Sequence, residues 1–296
     1  MPQTSRQLPR QAEIIHRYAG LTGFAQAFAK RHLQCILVLG PPGTGKSTAL
    51  REAVGPGACW ISGNASPFGI YTAAYEHRDA PMVLDDVDDL HRSKDGVRLL
   101  KSLCQSDAVR TIQWTTMAPL LKKAEIPSRF ETRSPVALIA NDWSTVSPNV
   151  AAIEDRFHIV VFEPTAAEIH TEAARWFADR EIYDFIGTHL AYIEFPSFRL
   201  YVRAAERKAA GLDWKSVILG CCFQGTTLAV ARLRADPSFA REEDRVTAFV
   251  ESGAGSRATY FSHAKKLRSI PERDATTVGS TAGPERPAAL DFLAVL

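Results

Sequence analysis

The sequence lacks the cysteine pattern of a disulfide-bonded or zinc-binding protein. It has five cysteines among 296 residues, an odd number with no Cys-x-x-Cys spacing: Cys35, Cys59, Cys104, Cys221 and Cys222. The adjacent Cys221 and Cys222 are poorly placed to form a disulfide with each other. We therefore expect five free, buried thiols in a reducing compartment. The eight histidines show no metal-ligand spacing either, so no zinc site is predicted.

The sequence also lacks long apolar segments. No apolar run approaches the roughly 18 residues needed to span a bilayer, and residues 1–10 have no apolar core of the signal-peptide kind. We therefore expect a cytoplasmic protein with no membrane partner. The formal net charge of +2 is too small to indicate a nucleic-acid partner by itself. With 46% hydrophobic and 23% charged residues, the composition is that of a globular protein with a sizeable core.

Short apolar runs of the kind that is buried in a parallel sheet recur along the first half of the chain. They are 35–39, 59–61, 82–84, 136–140 and 159–162. Helical stretches lie between several of them, for example 93–104 and 150–155. This alternation predicts an α/β fold with a parallel sheet. Residues 107–135 interrupt the pattern, and the segments 111–115 and 130–132 could pair there as an inserted hairpin.

The pattern changes after Pro164 to a succession of helices. The predicted helices are 165–179, 181–193, 198–211 and 214–234. Before the first strand, residues 13–32 have apolar positions at helical spacing, and Gly20 and Gly23 are expected to break this stretch into two short helices. We predict four regions: an N-terminal arm with helices (1–33, of which 1–12 is unstructured), an α/β domain (34–164), a helical domain (165–268) and a flexible tail with an apolar end (269–296).

One nine-residue segment matches the phosphate-binding pattern G-x-x-x-x-G-K-[ST] in full. It is Gly40, Pro41, Pro42, Gly43, Thr44, Gly45, Lys46, Ser47 and Thr48. A predicted strand precedes it and a predicted helix begins near Lys46, which favours a phosphate loop over a glycine-rich turn without a ligand. Backbone N–H groups and the helix N-terminus would hold the phosphates of ATP. Lys46 would reach the β- and γ-phosphates, and the Ser47 hydroxyl would bind Mg²⁺.

Two acids follow the apolar run 82–84, at the point where a nucleotide-hydrolysing site needs a carboxylate. We assign Asp85 to the metal side and Asp86 to polarising the attacking water. The alternative is an acidic loop that extends to Asp89. Because aspartate is one methylene shorter than glutamate, hydrolysis is expected to be slow or to need activation.

With these two motifs, the chain resembles the AAA+ ATPases over roughly residues 13–260. The resemblance implies a parallel-sheet P-loop NTPase core, a small helical lid domain, Mg²⁺-dependent ATP hydrolysis, and assembly into a homo-oligomeric ring or helix, with a hexamer as one size. The pair Asp85-Asp86, in place of Asp-Glu, is similar to the replication-initiator and helicase-loader branch, whose members handle DNA or a DNA helicase.

The resemblance also implies catalytic roles for three further residues. Asn141, after the strand 136–140, would be the first sensor, with Asp142 as a local alternative and a simple turn as the other reading. Arg156 would be the arginine finger that enters a neighbouring subunit's site, unless it forms a surface salt bridge with Glu154 or Asp155. Arg129 has a similar local sequence but lies before the first-sensor strand, which is the wrong place.

The third residue, Arg199, matches the second-sensor arginine of the lid. It lies in the first turn of the helix that Ser197 is expected to cap, and Arg203 is its competitor one turn later. The core-facing side of that helix is predicted to be Tyr201, Ala205, Ala209 and Leu212. The alternative for the arginines is a solvated basic face.

Three functions remain open at this point. The first is an oligomeric remodeller or loader in a DNA-linked process such as replication, transposition or plasmid or phage maintenance, with phosphate contacts from the basic residues Arg199, Arg203, Arg207, Lys208, Lys265, Lys266 and Arg268. The second is an ATPase with a protein client, docked on residues 107–135 or the apolar tail. The third is a nucleotide-dependent switch with little turnover. A small-molecule kinase is disfavoured by the helical domain after the last strand.

Overall fold

The structure is a computed structural model, which describes residues 8–9, 11–87, 90, 93–115, 118–143, 154–193 and 195–268. The chain divides into two compact units, Met1–Pro164 and Thr165–Leu296. The predicted tail, most of the predicted arm, and the acids Asp88 and Asp89 lie outside the described residues. No helix among the described residues has the length and apolar character required to cross a membrane.

A six-stranded parallel sheet forms the centre of the first unit. Its strands are β1 (Glu13–Ile15), β2 (Cys35–Leu39), β3 (Cys59–Ser62), β4 (Met82–Asp85), β7 (Val136–Ala140) and β8 (His158–Phe162). They are arranged in the order β1-β8-β2-β7-β4-β3, and every neighbouring pair is parallel. Every residue of β2 and β7 is buried, as expected for apolar strands with helices on both faces. The predicted α/β fold with a parallel sheet is confirmed.

The described helices of the first unit lie between these strands. They are α1 (Tyr18–Ala29), α2 (Lys46–Val54), α3 (Pro67–Glu76), α4 (Lys94–Leu103) and the short α5 (Ala118–Lys123), with a 3₁₀ turn at Glu154–Arg156. Ser66 and Ser93 cap α3 and α4 by accepting hydrogen bonds from the N–H groups of Gly69 and Gly96. The predicted helix 93–104 is therefore confirmed, whereas most of the predicted helix 150–155 lies outside the described residues.

The prediction of two short helices in residues 13–32 is wrong. Glu13–Ile15 forms the edge strand β1 because it pairs with β8, which lies far away in the sequence. The helix α1 is continuous through Gly20 and Gly23. Each glycine costs a helix about 1 kcal/mol relative to alanine, and the buried face of α1 offsets that cost; its members are Tyr18, Leu21, Ala25 and Phe28.

The predicted hairpin within residues 107–135 is confirmed. The strands β5 (Arg110–Gln113) and β6 (Arg129–Thr132) form an antiparallel pair of their own, with α5 between them. Aromatic rings attach the pair to α3: the ring centroid of Tyr71 lies 5.5 Å from that of Trp114 and 5.1 Å from that of Phe130. The Tyr71 hydroxyl also donates a hydrogen bond to the Pro127 carbonyl at 2.7 Å.

Every described element of the second unit is helical, as predicted. The helices are α6 (Ala166–Ala173), α7 (Arg180–His189), α8 (Phe198–Ala209), α9 (Lys215–Cys222), α10 (Gly225–Ala235), α11 (Glu242–Glu251) and α12 (Arg257–Arg268), with a 3₁₀ turn at Leu190–Tyr192. The predicted helix 214–234 is therefore two helices. His170 of α6 is half-buried and contacts the next two helices. Its ring centroid lies 3.9 Å from that of Tyr183, and its Nδ1 lies 2.8 Å from the Tyr201 hydroxyl.

Two details of the sequence interpretation fail in this unit. The buried face of α8 is Phe198, Leu200, Tyr201 and Ala204, whereas Leu212 is 58% exposed. Leu212 lies beyond the helix, because the chain turns at Gly211 with a positive φ of 69°. Ser197 does occupy the N-cap position, but its side chain makes no capping hydrogen bond.

The expectation of five buried cysteines is also only partly correct. All five are free, and Cys35, Cys59 and Cys104 are buried in the first unit. In the second unit, Cys221 is exposed and Cys222 is half-buried. Both belong to the last turn of α9, where one side of the helix faces solvent.

Candidate functional site

The phosphate-loop segment connects the carboxyl end of β2 to the first turn of α2. Gly40 allows the loop to pass directly under β8: a Cβ atom at this position would lie 2.2 Å from the Phe162 carbonyl oxygen. That distance is far shorter than any real Cβ contact, and the φ of Gly40, 155°, also lies in the range that favours glycine. Only glycine therefore fits at the start of the loop.

Lys46 reaches back over the loop from the first position of α2. Its Nζ donates hydrogen bonds to the carbonyl oxygens of Gly40 at 2.7 Å and Pro41 at 2.8 Å, and to Oδ1 of Asn141 at 3.4 Å. The lysine is only 5% exposed. A buried ammonium is costly unless it is hydrogen-bonded, and these oxygens hold it against the loop backbone. The loop and the carboxyl end of β7 are thereby joined by one side chain.

The N-terminus of α2 is open toward the loop. Its N-cap residue, Gly45, has a φ of 84° and gives the helix no side-chain cap. The first N–H groups of a helix have no partner within the helix, and the helix dipole places partial positive charge at the same end. Together they favour an anion at this position. Ser47 and Thr48 continue the first turn, and both are half-buried.

Asp85 ends β4 next to the loop. Ser47, in the first turn of α2, acts to lower the pKa of the Asp85 carboxyl group, and a hydroxyl and a carboxylate are both oxygen ligands that suit a divalent cation. Burial raises the pKa of Asp85 above its ordinary value, and the neighbouring charge of Asp86 acts in the same direction. Ser47 and the charge of Lys46 only partly oppose this rise. A cation bound beside Asp85 would therefore stabilise the ionised form of this carboxylate.

Asp86 and Asn141 contact each other directly. Both carboxylate oxygens of Asp86 accept hydrogen bonds from Nδ2 of Asn141, at 3.1 and 3.2 Å. Asp86 has left-handed backbone geometry with a φ of 52°, which aspartate tolerates better than most residues. The other end of the Asn141 amide accepts the hydrogen bond from Lys46. The three predicted residues thus form one connected series, with Asp86 exposed to solvent.

Tyr18 belongs to the site and was not predicted to do so. Its hydroxyl donates a hydrogen bond to the Thr44 carbonyl at 2.8 Å, and its ring packs edge-on against Phe162 with 5.0 Å between centroids. The Thr44 hydroxyl in turn donates to the Pro41 carbonyl at 2.9 Å. Tyr18 therefore fixes the middle of the loop from α1. No motif contains it, and in the sequence it reads only as an apolar position of a helix.

Arg156 lies just before the amino end of β8. The phosphate loop follows the carboxyl end of the parallel strand β2, so the two lie at opposite ends of the strands. Arg156 is half-buried, and its Nη1 donates a hydrogen bond to the Lys101 carbonyl in the last turn of α4, at 2.6 Å. The structure therefore does not bring Arg156 to the phosphate loop of its own chain. A role in a neighbouring subunit's site stays a prediction, and that role would require this hydrogen bond to break.

Arg199 lies in the first turn of α8 in the second unit. It is exposed, as are Arg203 and Arg207. Lys208 differs from them because it forms ion pairs with Asp179 at 2.8 Å and Glu181 at 2.7 Å. Lys208 is therefore committed to contacts within the unit. The assignment of Arg199 as second sensor stays a prediction.

The first unit thus combines an anion site, a pair of oxygen ligands for a cation, and an exposed carboxylate held by an amide. Such a set can bind a phosphate chain with its metal ion and orient a water molecule toward it. The residues are contributed by the carboxyl ends of β2, β4 and β7, which are adjacent strands. This is the edge of a parallel sheet where ligands generally bind.

No protein-family model matches the chain, and no curated protein matches its sequence. Among solved structures, the chain is similar to katanin, in a study of katanin self-assembly, with 14% sequence identity over 85% of this chain and 82% of that chain and a TM-score of 0.39. It is also similar to a mutant of Thermotoga maritima RuvB, with 13% identity over 84% of this chain and 86% of that chain and a TM-score of 0.43. These values decide neither the family nor the activity of the chain.

Proposed function

We propose that this chain is a Mg²⁺-dependent ATPase of the AAA+ type that works as a homo-oligomer. The observation that carries the proposal is the hydrogen-bonded series of Lys46, Asn141 and Asp86, which connects an anion-binding loop to an exposed acid. A phosphate chain on the loop would lie between the Lys46 ammonium and that acid. This is the arrangement that hydrolysis of a nucleoside triphosphate requires, and the phosphate-loop motif supports ATP as the substrate.

Ser47 and Asp85 would hold the magnesium ion. A hydroxyl and a carboxylate are ligands that Mg²⁺ prefers, and Ser47 directly follows Lys46 of the phosphate loop while Asp85 ends β4. When bound, the ion would neutralise charge on the β- and γ-phosphates. Asp86 would accept a proton from the attacking water or orient it, and Asn141 would release Asp86 as it turns toward the γ-phosphate or the water.

Replacing Asp85 with asparagine tests the metal site without relying on turnover alone. A raised pKa means that ionised Asp85 lowers the free energy of unfolding at neutral pH. Protonated Asp85 carries no such cost. The stability that protonation gives the folded state is therefore fully present below the ordinary pKa of aspartate, about 3.9, and is lost as pH rises through the raised pKa of Asp85. Without nucleotide, D85N should therefore raise Tm by a few degrees at pH 7.5, and the difference should shrink as pH falls.

The same variant should lose the additional Tm increase that Mg²⁺ gives in the presence of ATP, and it should hydrolyse ATP at background rate. Differential scanning fluorimetry with ATP, alone and with Mg²⁺, measures both effects. Asp107→Asn is the matched control, because Asp107 is an exposed acid outside the site. An unchanged response of D85N to Mg²⁺ would remove Asp85 from the metal site.

We further propose that the ATPase acts on DNA or on a DNA-processing protein. The support is the exposed arginine row on α8, formed by Arg199, Arg203 and Arg207. Positions four residues apart lie on one side of a helix, and clustered arginines suit a phosphate backbone. The pair Asp85-Asp86, similar to the helicase-loader branch, points in the same direction.

DNA binding through this row has a measurable salt signature. A double variant, Arg203→Ala with Arg207→Ala, should weaken DNA binding and reduce the slope of log K against log salt by about 1 for each lost phosphate contact. Fluorescence anisotropy with single- and double-stranded DNA measures both, and Arg199 stays unchanged because it is the candidate second sensor. A second double variant, Arg232→Ala with Arg241→Ala, removes the same charge from other exposed positions. If the protein does not bind DNA, and DNA does not change the rate of ATP hydrolysis, the proposal of a DNA client is wrong and a protein client is favoured.

A nucleotide-dependent switch with little turnover is the second candidate, favoured by the contact between Asp86 and Asn141. Because Asn141 contacts both carboxylate oxygens, the direction in which Asp86 can orient a water molecule depends on the position of Asn141. Single-turnover measurement of bound ATP separates the two functions. Conversion to ADP within the lifetime of the complex supports the ATPase, and recovery of unchanged ATP supports the switch.

A further inference from the structure

The middle of the phosphate loop contains backbone that is intrinsically free to rotate. Thr44 lies between Gly43 and Gly45, whose φ angles are 74° and 84°. Glycine adopts positive and negative φ about equally readily, so the chain on either side of Thr44 can change conformation at little cost. The loop therefore needs further contacts to keep one conformation before a ligand arrives.

Thr44 makes two hydrogen bonds that hold the loop in place. The residue is 1% exposed. Its hydroxyl donates to the Pro41 carbonyl at 2.9 Å, a carbonyl that also accepts a hydrogen bond from Nζ of Lys46 at 2.8 Å. Its own carbonyl accepts the hydrogen bond from the Tyr18 hydroxyl at 2.8 Å. The first of these bonds lies within the loop, whereas the second connects the loop to α1.

The position of the Tyr18 hydroxyl is set by the sheet. Tyr18 is the first residue of α1 and is 8% exposed. Its ring packs edge-on against Phe162 of β8, and Phe162 pairs with Ile15 in the register of β1 and β8. The Phe162 carbonyl also lies against Gly40, at the start of the loop. Tyr18 and the loop are thus placed by the same residue of β8.

A hydrogen bond to the Thr44 carbonyl also fixes the direction of the next N–H group. The peptide bond between Thr44 and Gly45 is trans, and the C=O and N–H groups of a trans peptide point in opposite directions. Because the carbonyl points to Tyr18, the Gly45 N–H points away from that side chain. Gly45 is the N-cap of α2, next to the first N–H groups of the helix. Those groups have no partner within the helix and suit an anion.

We propose that Tyr18 is a positioning residue for the phosphate chain: its hydroxyl holds the Thr44 carbonyl so that the Gly45 N–H faces the bound phosphate. This inference rests on the proposed nucleotide-binding function. Tyr18 contacts the loop and not the ligand. A donor that already points in the right direction need not be ordered on binding, which raises affinity. A donor to the phosphate chain contributes equally to the bound substrate and to the transition state, so Tyr18 acts on binding and not on the chemical step.

Replacing Tyr18 with phenylalanine removes the hydroxyl and retains the ring that packs against Phe162. We expect Y18F to bind ATP about tenfold more weakly, the factor that corresponds to loss of one hydrogen bond to a charged group. Inorganic pyrophosphate should weaken by the same factor, because the defect lies at the phosphates. In steady-state hydrolysis, KM should rise about tenfold while kcat changes by less than about twofold. Isothermal titration calorimetry and phosphate release measure these quantities.

Tyr71→Phe is the matched control, because it also removes a tyrosine hydroxyl from a backbone carbonyl of the first unit, that of Pro127 at 2.7 Å. Both variants should lower Tm by a few degrees, but Y71F should bind ATP and pyrophosphate like the wild-type protein. Equal losses of affinity in the two variants would indicate a general effect of stability and overturn the role of Tyr18.

Three further results separate this role from the proposed ATPase. Wild-type affinity in Y18F, or weaker binding of ATP without weaker binding of pyrophosphate, would overturn the role of Tyr18 and leave the ATPase intact. A fall in kcat at unchanged KM would do the same, since it would place the effect on the chemical step. Failure of the wild-type protein to bind ATP would overturn both proposals.

Discussion

Replacing Lys46 with alanine is expected to lower both ATP affinity and the rate of ATP hydrolysis by on the order of 100-fold or more. The Lys46 ammonium is held at the loop by the carbonyl oxygens of Gly40 and Pro41, so its charge is already in place before a phosphate arrives. A group that is preorganised in this way stabilises developing negative charge without reorganisation. K46A removes that charge and leaves the anion with backbone N–H groups alone.

Binding of a fluorescent ATP analogue and steady-state phosphate release measure the two effects of K46A separately. Lys122→Ala is the matched control, because Lys122 is an exposed lysine on α5, away from the loop. K122A should bind and hydrolyse ATP like the wild-type protein. Wild-type affinity in K46A would show that the loop is not the nucleotide site, which would also remove the basis for the proposed ATPase.

Replacing Arg156 with alanine is expected to reduce hydrolysis by on the order of 1,000-fold while leaving ATP affinity nearly unchanged. The reason is position: Arg156 lies at the amino edge of the sheet, whereas the phosphate loop lies at the carboxyl edge. If its guanidinium stabilises the transferred phosphoryl group, it must do so in a second copy of the chain. Hydrolysis by the wild-type protein should then rise more steeply than in proportion to protein concentration, and R156A should lack this rise.

Mixing two inactive variants gives a sharper test of the same role. R156A retains an intact phosphate loop, and K46A retains an intact finger. An interface that joins them in the right order contains one complete site, so a random equal mixture should recover activity at roughly a quarter of its interfaces. Arg129→Ala is the control, because Arg129 is an exposed arginine with a similar local sequence. R129A should be active alone, and absence of recovery in the mixture would argue against a finger in trans.

The parts of the fold that were correctly predicted are those that local sequence determines. Apolar runs such as 136–140 mark buried parallel strands wherever they occur. The phosphate loop was found from its own nine residues, and the positive φ of Gly45 is a local reason for a glycine. The close approach of Gly40 to the Phe162 carbonyl is a second reason, and it depends on a distant strand. The helix α4 was predicted as a helical stretch over residues 93–104, and Ser93 is a residue type that commonly caps the start of a helix.

The parts that were missed depend on partners far away in the chain. The segment Glu13–Ile15 becomes a strand only because β8 is there to pair with it, and no periodicity is readable in three residues. Tyr18 reaches Thr44 through the packing of α1 against the loop.

The edge strand β1 also has a consequence for how the chain folds. Its residues pair with Val160, Val161 and Phe162, and the next residue, His16, contacts the Glu163 carbonyl at a separation of 147 positions. Contacts this distant require a large loop to close before they contribute any energy, and folding rates fall as such contacts become more frequent. During synthesis, the residues of β1 therefore have no strand to pair with until β8, near the end of the first unit, has left the ribosome. Until β1 and β8 pair, the unpaired backbone groups of both are available to other strands, and this is the folding step at which such mispairing competes most.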